Sequence, residues 1–251
     1  MAMAAMLITA AVPVRGASVP NVAAASDLQF ALTEIAAAFA RDTGQTVNLA
    51  FGSSGNFRRQ IAEGAPFELF LSADEAYVEA LAFEGRTVDR GTRYATGRIA
   101  LFVPAGGTLR LDATLADLKA AVADGRVQRF AIANPEHAPY GRAAREALQR
   151  AGVWEALAPR LVLGENVSQA AQFATSGAAQ GGIFAYSLAL LPAIAAKGSV
   201  VLLPGQSHAP LHQRMVLLKG AGATAQAFYA YLQQPAARAL FRKHGFLLPD
   251  E

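Results

Sequence analysis

The chain has 251 residues, 53% of them apolar and 16% charged, enough to bury the core of one large domain or two smaller ones. Its net charge is +3, with scattered Lys and Arg and no basic stripe interleaved with aromatics, which argues against nucleic acid as a partner. The absence of cysteine excludes disulfides, thiolate catalysis, Cys-ligated zinc and lipid attachment through an N-terminal cysteine.

Residues Met1 to Val14 form an apolar run followed by Arg15-Gly16-Ala17-Ser18. Fourteen residues are too few for a membrane-spanning helix. They suit the apolar core and small-residue tail of an export signal with cleavage near Ala17, although no Lys or Arg precedes the run. Val22 to Ala25 is expected as a strand. Leu28 to Arg41 is expected as an amphipathic helix with Leu28, Leu32, Ile35 and Phe39 on one face. Gly44 stops that helix, and Val47 to Phe51 is the next strand. A short helix over Asn56 to Glu63, a buried strand Leu69-Phe70-Leu71 and a helix opened by Asp74 complete a βαβαβα order. That order predicts a mostly parallel sheet with helices on both faces.

A second unit is expected from about Arg98. It holds a strand Ile99 to Val103, a helix Thr114 to Val122, a strand Phe130 to Ala133 and a helix Tyr140 to Ala151. A strand Leu161 to Leu163, a helix Val167 to Thr175 and strands Gly181 to Ala185 and Val200 to Leu203 follow. A strand Gln213 to Leu218 and helices Ala223 to Gln233 and Pro235 to His244 close the chain. No Gly/Ser linker interrupts this pattern, so two lobes joined by strand-like crossovers are expected. Ligands of such open α/β sheets bind at the carboxyl ends of strands.

The loops at those ends share one character: Ser26, Ser53-Ser54-Gly55, Ala138-Pro139-Tyr140-Gly141 and Glu165-Asn166-Val167 each precede a helix. A helix N-terminus presents unpaired N–H groups and about half a positive charge, so several converging there can hold an anion without Arg or Lys. For any one serine alone, ordinary N-capping would serve as well, and the recurrence favours a site. Catalytic patterns fail. Gly52-Ser53-Ser54-Gly55 is one residue too tight for a nucleophile elbow, and a phosphate loop would need Lys where Asn56 stands. His208 and His212 are four apart, but Pro210 between them argues against a shared helix face and for a surface pair rather than a metal site. His137 and His244 are lone histidines. Glu63, Glu68 and Asp74 suit surface or capping roles, so no acid–base pair and no enzyme is expected.

With these residues placed, the chain resembles the periplasmic molybdate-binding proteins of ABC transporters. The likeness covers almost everything after residue 20 and is carried by "VAAASDLQFAL" (22–32), "FGSSGNFRRQIAEGAPFELFLSAD" (51–74), "ANPEHAPYGRAAREAL" (133–148), "GENVSQAAQFATSGAAQGGIF" (164–184) and "AFYAYLQQPAARALFRKHGF" (227–246). The resemblance implies the type II periplasmic binding fold, α/β with two lobes and one tetrahedral oxyanion in the cleft. The lobes are then residues 20–98 plus 206–251 and residues 99–205, after a leader over residues 1–19. It places the oxyanion donors at Ser26, Ser54, Tyr140 and Val167: the hydroxyls of the first three, and N–H groups at all four. Some members carry a further tyrosine in "GIVYGSD"; the matching segment here is "GIFAYSL", which puts Ala185 at that position. Tyr140, in the "APYG" loop, is expected to supply the hydroxyl instead, and Tyr186 to face away.

The resemblance further implies molybdate or tungstate as ligand, no cofactor or resident metal, and an ABC permease as partner. It implies a periplasmic, monomeric protein without a lipid anchor. Two other readings stay open: a binder of sulfate or phosphate, and an enzyme or sensor on the same fold. Asp27 is the residue that bears on the first, because a carboxylate facing a dianion would repel it, whereas protonated phosphate benefits from an acceptor. For molybdate, Asp27 is expected to turn away from the cleft, in the first helical turn, where its charge suits the helix dipole.

Overall fold

The computed structural model describes residues 19–249, so nearly all of the expected leader lies outside the described residues. Strand β1 (Asn21–Ala25) passes through a 3₁₀ turn, Ser26–Leu28, into helix α1 (Gln29–Thr43). Leu28, Leu32, Ile35 and Phe39 are all buried, as the helical spacing predicts. Phe39 packs its ring 5.1 Å from Phe228 and 5.4 Å from Tyr231. Strand β2 (Asn48–Gly52), α2 (Ser54–Ala62), β3 (Leu69–Ser72) and α3 (Glu75–Phe83) follow. Next comes β4 (Thr92–Gly97), a strand that the apolar pattern does not announce. Only Tyr94, Ala95 and Gly97 of it are buried, because it forms the sheet edge beside β10 (Leu211–Leu217).

The second sheet begins with β5 (Ile99–Pro104), one residue beyond β4. Helix α4 (Ala116–Ala123), β6 (Phe130–Ala133), α5 (Pro139–Arg150), α6 (Trp154–Leu157), β7 (Leu161–Gly164) and α7 (Val167–Thr175) follow in order. Then come β8 (Gly182–Ala185), α8 (Tyr186–Ala189), α9 (Pro192–Ala195) and β9 (Gly198–Leu202). After β10 the chain ends on α10 (Ala223–Tyr231) and α11 (Pro235–Lys243).

The sheets have the orders β2-β1-β3-β10-β4 and β7-β6-β8-β5-β9. These are the same topology twice. In each, one strand runs antiparallel to both neighbours and the other four share a direction. The odd strands are β10 and β5, the two that follow a crossover from the other sheet. Strands β3, β6 and β8 read LFLS, FAIA and GIFA and are buried at every residue, as expected of central strands covered on both faces. The carboxyl ends of β1, β2, β6 and β7 therefore point at one seam between the lobes, and the helices that follow begin there.

Candidate oxyanion site

A small cavity of about 10 Å³ lies in that seam. That is room for a small ion and far too little for an organic ligand. Its lining is Ala25, Ser26, Asp27, Gly52, Ser53, Ser54, Ala73, Ala138, Pro139, Tyr140 and Val167. All four residues expected as donors line it. None of the lining residues is Lys, Arg or His. Positive potential comes instead from backbone: Ser26 opens the turn into α1, Ser54 opens α2, Tyr140 is the second residue of α5 and Val167 the first of α7. First-turn N–H groups have no acceptor within their own helix, so four sets of donors converge on one volume.

The side chains divide according to where their protons go. Ser54 Oγ accepts from the Ala73 N–H at 3.0 Å, and Ser26 Oγ accepts from the Ser168 N–H at 3.4 Å. Each hydroxyl proton remains available to an acceptor in the cavity. Ser53 differs. Its hydroxyl donates to the His137 carbonyl at 2.6 Å and lies 3.0 Å from His137 Nδ1, which ties α2 to the loop before α5. The Gly55 N–H reaches the same carbonyl at 3.0 Å, and a Cβ on Gly55 would stand 2.5 Å from it, so glycine permits this approach.

Tyr140 departs from expectation. Its side chain is buried, and its hydroxyl donates to Asp27 Oδ2 at 2.8 Å while accepting from Gln213 Nε2 at 3.0 Å. A phenol has one proton, and here that proton belongs to Asp27 rather than to the cavity. The backbone N–H of Tyr140 keeps its expected place at the start of α5. Gly97 makes room for the tyrosine: a Cβ there would lie 2.9 Å from Gln213 Nε2 and closer still to the Tyr140 hydroxyl.

Asp27 also departs. It sits not in the first turn of α1 but in the 3₁₀ turn before it, 2% exposed, and the residue is one of those that line the cavity. The reason is a set of partners far away in sequence. Oδ2 accepts from Tyr140 and, at 2.7 Å, from Gln213 Nε2; the Tyr94 hydroxyl donates to Gln213 Oε1 at 2.6 Å and so aims that amide at Asp27. Oδ1 is buried without a hydrogen-bond partner. Burial pushes the Asp27 carboxyl up to about 6, against the opposing pull of the Gln213 and Tyr140 hydrogen bonds. Burial also raises the Tyr94 and Tyr140 phenols well above their ordinary value, with the Asp27 charge adding to it, so both remain donors.

The other expectations resolve as follows. Tyr186 lies beneath the Arg98 guanidinium, 4.8 Å from ring centroid to Cζ, and is absent from the cavity lining, as is the end of α8. His208 is 6% exposed rather than on the surface, with Nδ1 2.7 Å from the Ala209 carbonyl oxygen. His212 belongs to strand β10, so the two do not share a helix. Asp74 caps α3 by accepting from the Ala76 N–H at 2.9 Å, and it pairs with Arg142 across the seam. Glu68 accepts from the Gly222 N–H at 2.7 Å. Among the described residues no group of His, Asp or Glu is placed to hold a metal ion, and no helix is long and apolar enough to cross a membrane.

A family model described as bacterial extracellular solute-binding protein matches residues 20–247. The chain is 40% identical over 217 residues to the molybdate-binding protein ModA of Rhodobacter capsulatus, covering 85% of this chain and 82% of that one. It is 36% identical over 230 residues to the ModA of Azotobacter vinelandii, covering 90% and 88%. The chain belongs to the family of periplasmic molybdate-binding proteins. The solved structure of the Azotobacter vinelandii periplasmic molybdate-binding protein superposes with a TM-score of 0.83 at 31% identity, over 92% of this chain and 99% of that one. The two-lobed architecture anticipated from the sequence is therefore that of the type II periplasmic binding proteins.

Proposed function

We propose that this chain captures molybdate, and tungstate with it, and delivers the ion to the permease of an ABC transporter. The observation that carries the reading is the cavity itself: small, free of cationic side chains, and walled by four helix beginnings in a member of this family. Its relatives in Rhodobacter capsulatus and Azotobacter vinelandii bind molybdate by name. The hydroxyls of Ser26 and Ser54 and the N–H groups of Ser26, Ser54, Tyr140 and Val167 are the donors, each worth about 1.5–3 kcal/mol to a charged acceptor. Sulfate is smaller, and its oxygens would reach fewer of these donors at once. The lobes are residues 20–98 plus 206–251 and residues 99–205, and the ion is held as they close. The protein acts as a periplasmic monomer, exported by a leader over residues 1–19, without catalysis or cofactor.

One observation favours a second reading. An ionised Asp27 in the cavity wall would offer an acceptor, which suits hydrogen phosphate better than a fully deprotonated ion. Calorimetric titration with molybdate, tungstate, sulfate and phosphate separates the two. Heat of binding at micromolar molybdate and tungstate, with sulfate and phosphate silent, is the expected result. Equal affinity for sulfate removes the selectivity, a preference for phosphate installs the second reading, and silence from all four refutes both.

A further inference from the structure

The buried carboxyl of Asp27 is a component that a donor-only cavity does not need, and its hydrogen bonds define its role. The chain of donors runs one way. Tyr94 donates to Gln213 Oε1, Gln213 Nε2 donates to both Tyr140 Oη and Asp27 Oδ2, and Tyr140 donates to Asp27 Oδ2. Both side-chain donors that reach the carboxyl, Tyr140 and Gln213, point at Oδ2. A proton on the carboxyl itself has one place to go, the buried and unpartnered Oδ1. Asp27 is 2% exposed and lines the cavity.

We propose that Asp27 binds a proton as the oxyanion enters, and that the resulting carboxylic acid donates from Oδ1 to the ion. The proton comes from solvent, a carboxylate plus a proton giving a carboxyl, and no other bond is made or broken. The inference rests on the oxyanion reading above. A dianion arriving beside an already disfavoured carboxylate adds like-charge repulsion to burial, and both favour the neutral acid. Binding is thereby linked to proton uptake, and the acid becomes one more donor in a site that has no acceptor left.

The surroundings leave the proton no competing site. The turn that carries Asp27 packs against β2, α7 and α8, whose only ionisable residue is Tyr186, held under Arg98. From α5 and β4 the tyrosines Tyr140 and Tyr94 face it. The charged residues of those elements and of β10 are engaged elsewhere or exposed: Arg142 pairs with Asp74, Arg145 with Glu136, Arg93 and Arg214 with Glu75, Glu146 accepts from the Ala209 N–H, Arg150 is exposed, and His212 lies 3.4 Å from Thr96 Oγ1. On α1, Glu34 pairs with Lys243 and His244.

The test is molybdate titration of the full chain at about pH 7 in buffers of differing ionisation enthalpy, with Kd followed from about pH 6.5 to 8.5. Uptake approaching one proton per ion is expected, with Kd rising toward tenfold per pH unit at the alkaline end. Asp27→Asn places a carbonyl where Oδ2 accepts and an amide where the acid donates. It is expected to bind molybdate with no pH slope, and more tightly than the wild type at about pH 8. Ser54→Ala serves as control, weaker at every pH with the slope kept. Molybdate binding by the wild type without proton uptake overturns the inference and leaves the oxyanion reading standing. So does a folded Asp27→Asn variant that no longer binds. Silence of the wild type toward every oxyanion overturns both.

Discussion

At the level of single residues, the site depends on where each hydroxyl proton is directed. Ser54 and Ser26 accept from backbone N–H groups and keep their protons for the cavity, so each should matter to binding. Ser54→Ala is expected to weaken molybdate by about 10- to 100-fold, the equivalent of one hydrogen bond to a charged acceptor, read by calorimetry. Asp27 gives the chain a pH-dependent stability of known sign. Its carboxyl moves from 3.8 in the unfolded chain up to about 6 in the fold, so its contribution is complete below the lower value and lost as pH rises through the higher. Asp27→Asn is therefore expected to raise the Tm at about pH 8, by a margin equivalent to at most about 3 kcal/mol, and to change little near pH 4. An unchanged Tm at both would mean that the carboxyl is not buried in solution. That Ser26, Ser54, Tyr140 and Val167 meet at one cavity was legible because a strand end, a small or polar residue and a helix start lie within a few positions of one another. The destination of the Tyr140 hydroxyl was not, because its acceptor is 113 residues away and the Gln213 amide that completes the network is 186 residues from Asp27. Local pattern cannot report a partner set by tertiary packing.

Among the elements, the helices and central strands follow their apolar periodicity, and the misses have physical causes. Strand β4 is a sheet edge whose residues Thr92, Arg93 and Thr96 are not buried, so no apolar run marks it. His208, in the loop that precedes β10, is buried, which no local spacing foretells. The mouth of α2 meets the loop before α5 through Ser53, Gly55 and His137, and this contact brings two helix beginnings to the same cavity. Gly55→Ala would drive a Cβ against the His137 carbonyl across the seam, and against the Tyr77 hydroxyl, the movable end of a half-buried side chain. It is expected to weaken molybdate at least tenfold and to shift the ligand-free Tm only slightly, by thermal unfolding and calorimetry together. A large loss of ligand-free stability would show instead that Gly55 supports the fold itself.

At the scale of the whole molecule, two sheets of identical topology are joined by two crossovers, between β4 and β5 and between β9 and β10. The cavity exists only where the two halves meet: Ser26 and Ser54 come from one, Tyr140 and Val167 from the other. An ion that bonds to both halves favours their approach by its differential affinity for the closed form. Small-angle scattering is expected to give a smaller radius of gyration with molybdate than without it, and no such change for Gly55→Ala. The central claim is that this cavity selects a large, fully deprotonated oxyanion through donors alone. Equilibrium dialysis of the chain against molybdate with sulfate and phosphate in excess, with molybdenum counted by mass spectrometry, tests it most directly. One molybdenum retained per chain is the predicted result; displacement of molybdenum by either competitor would contradict it.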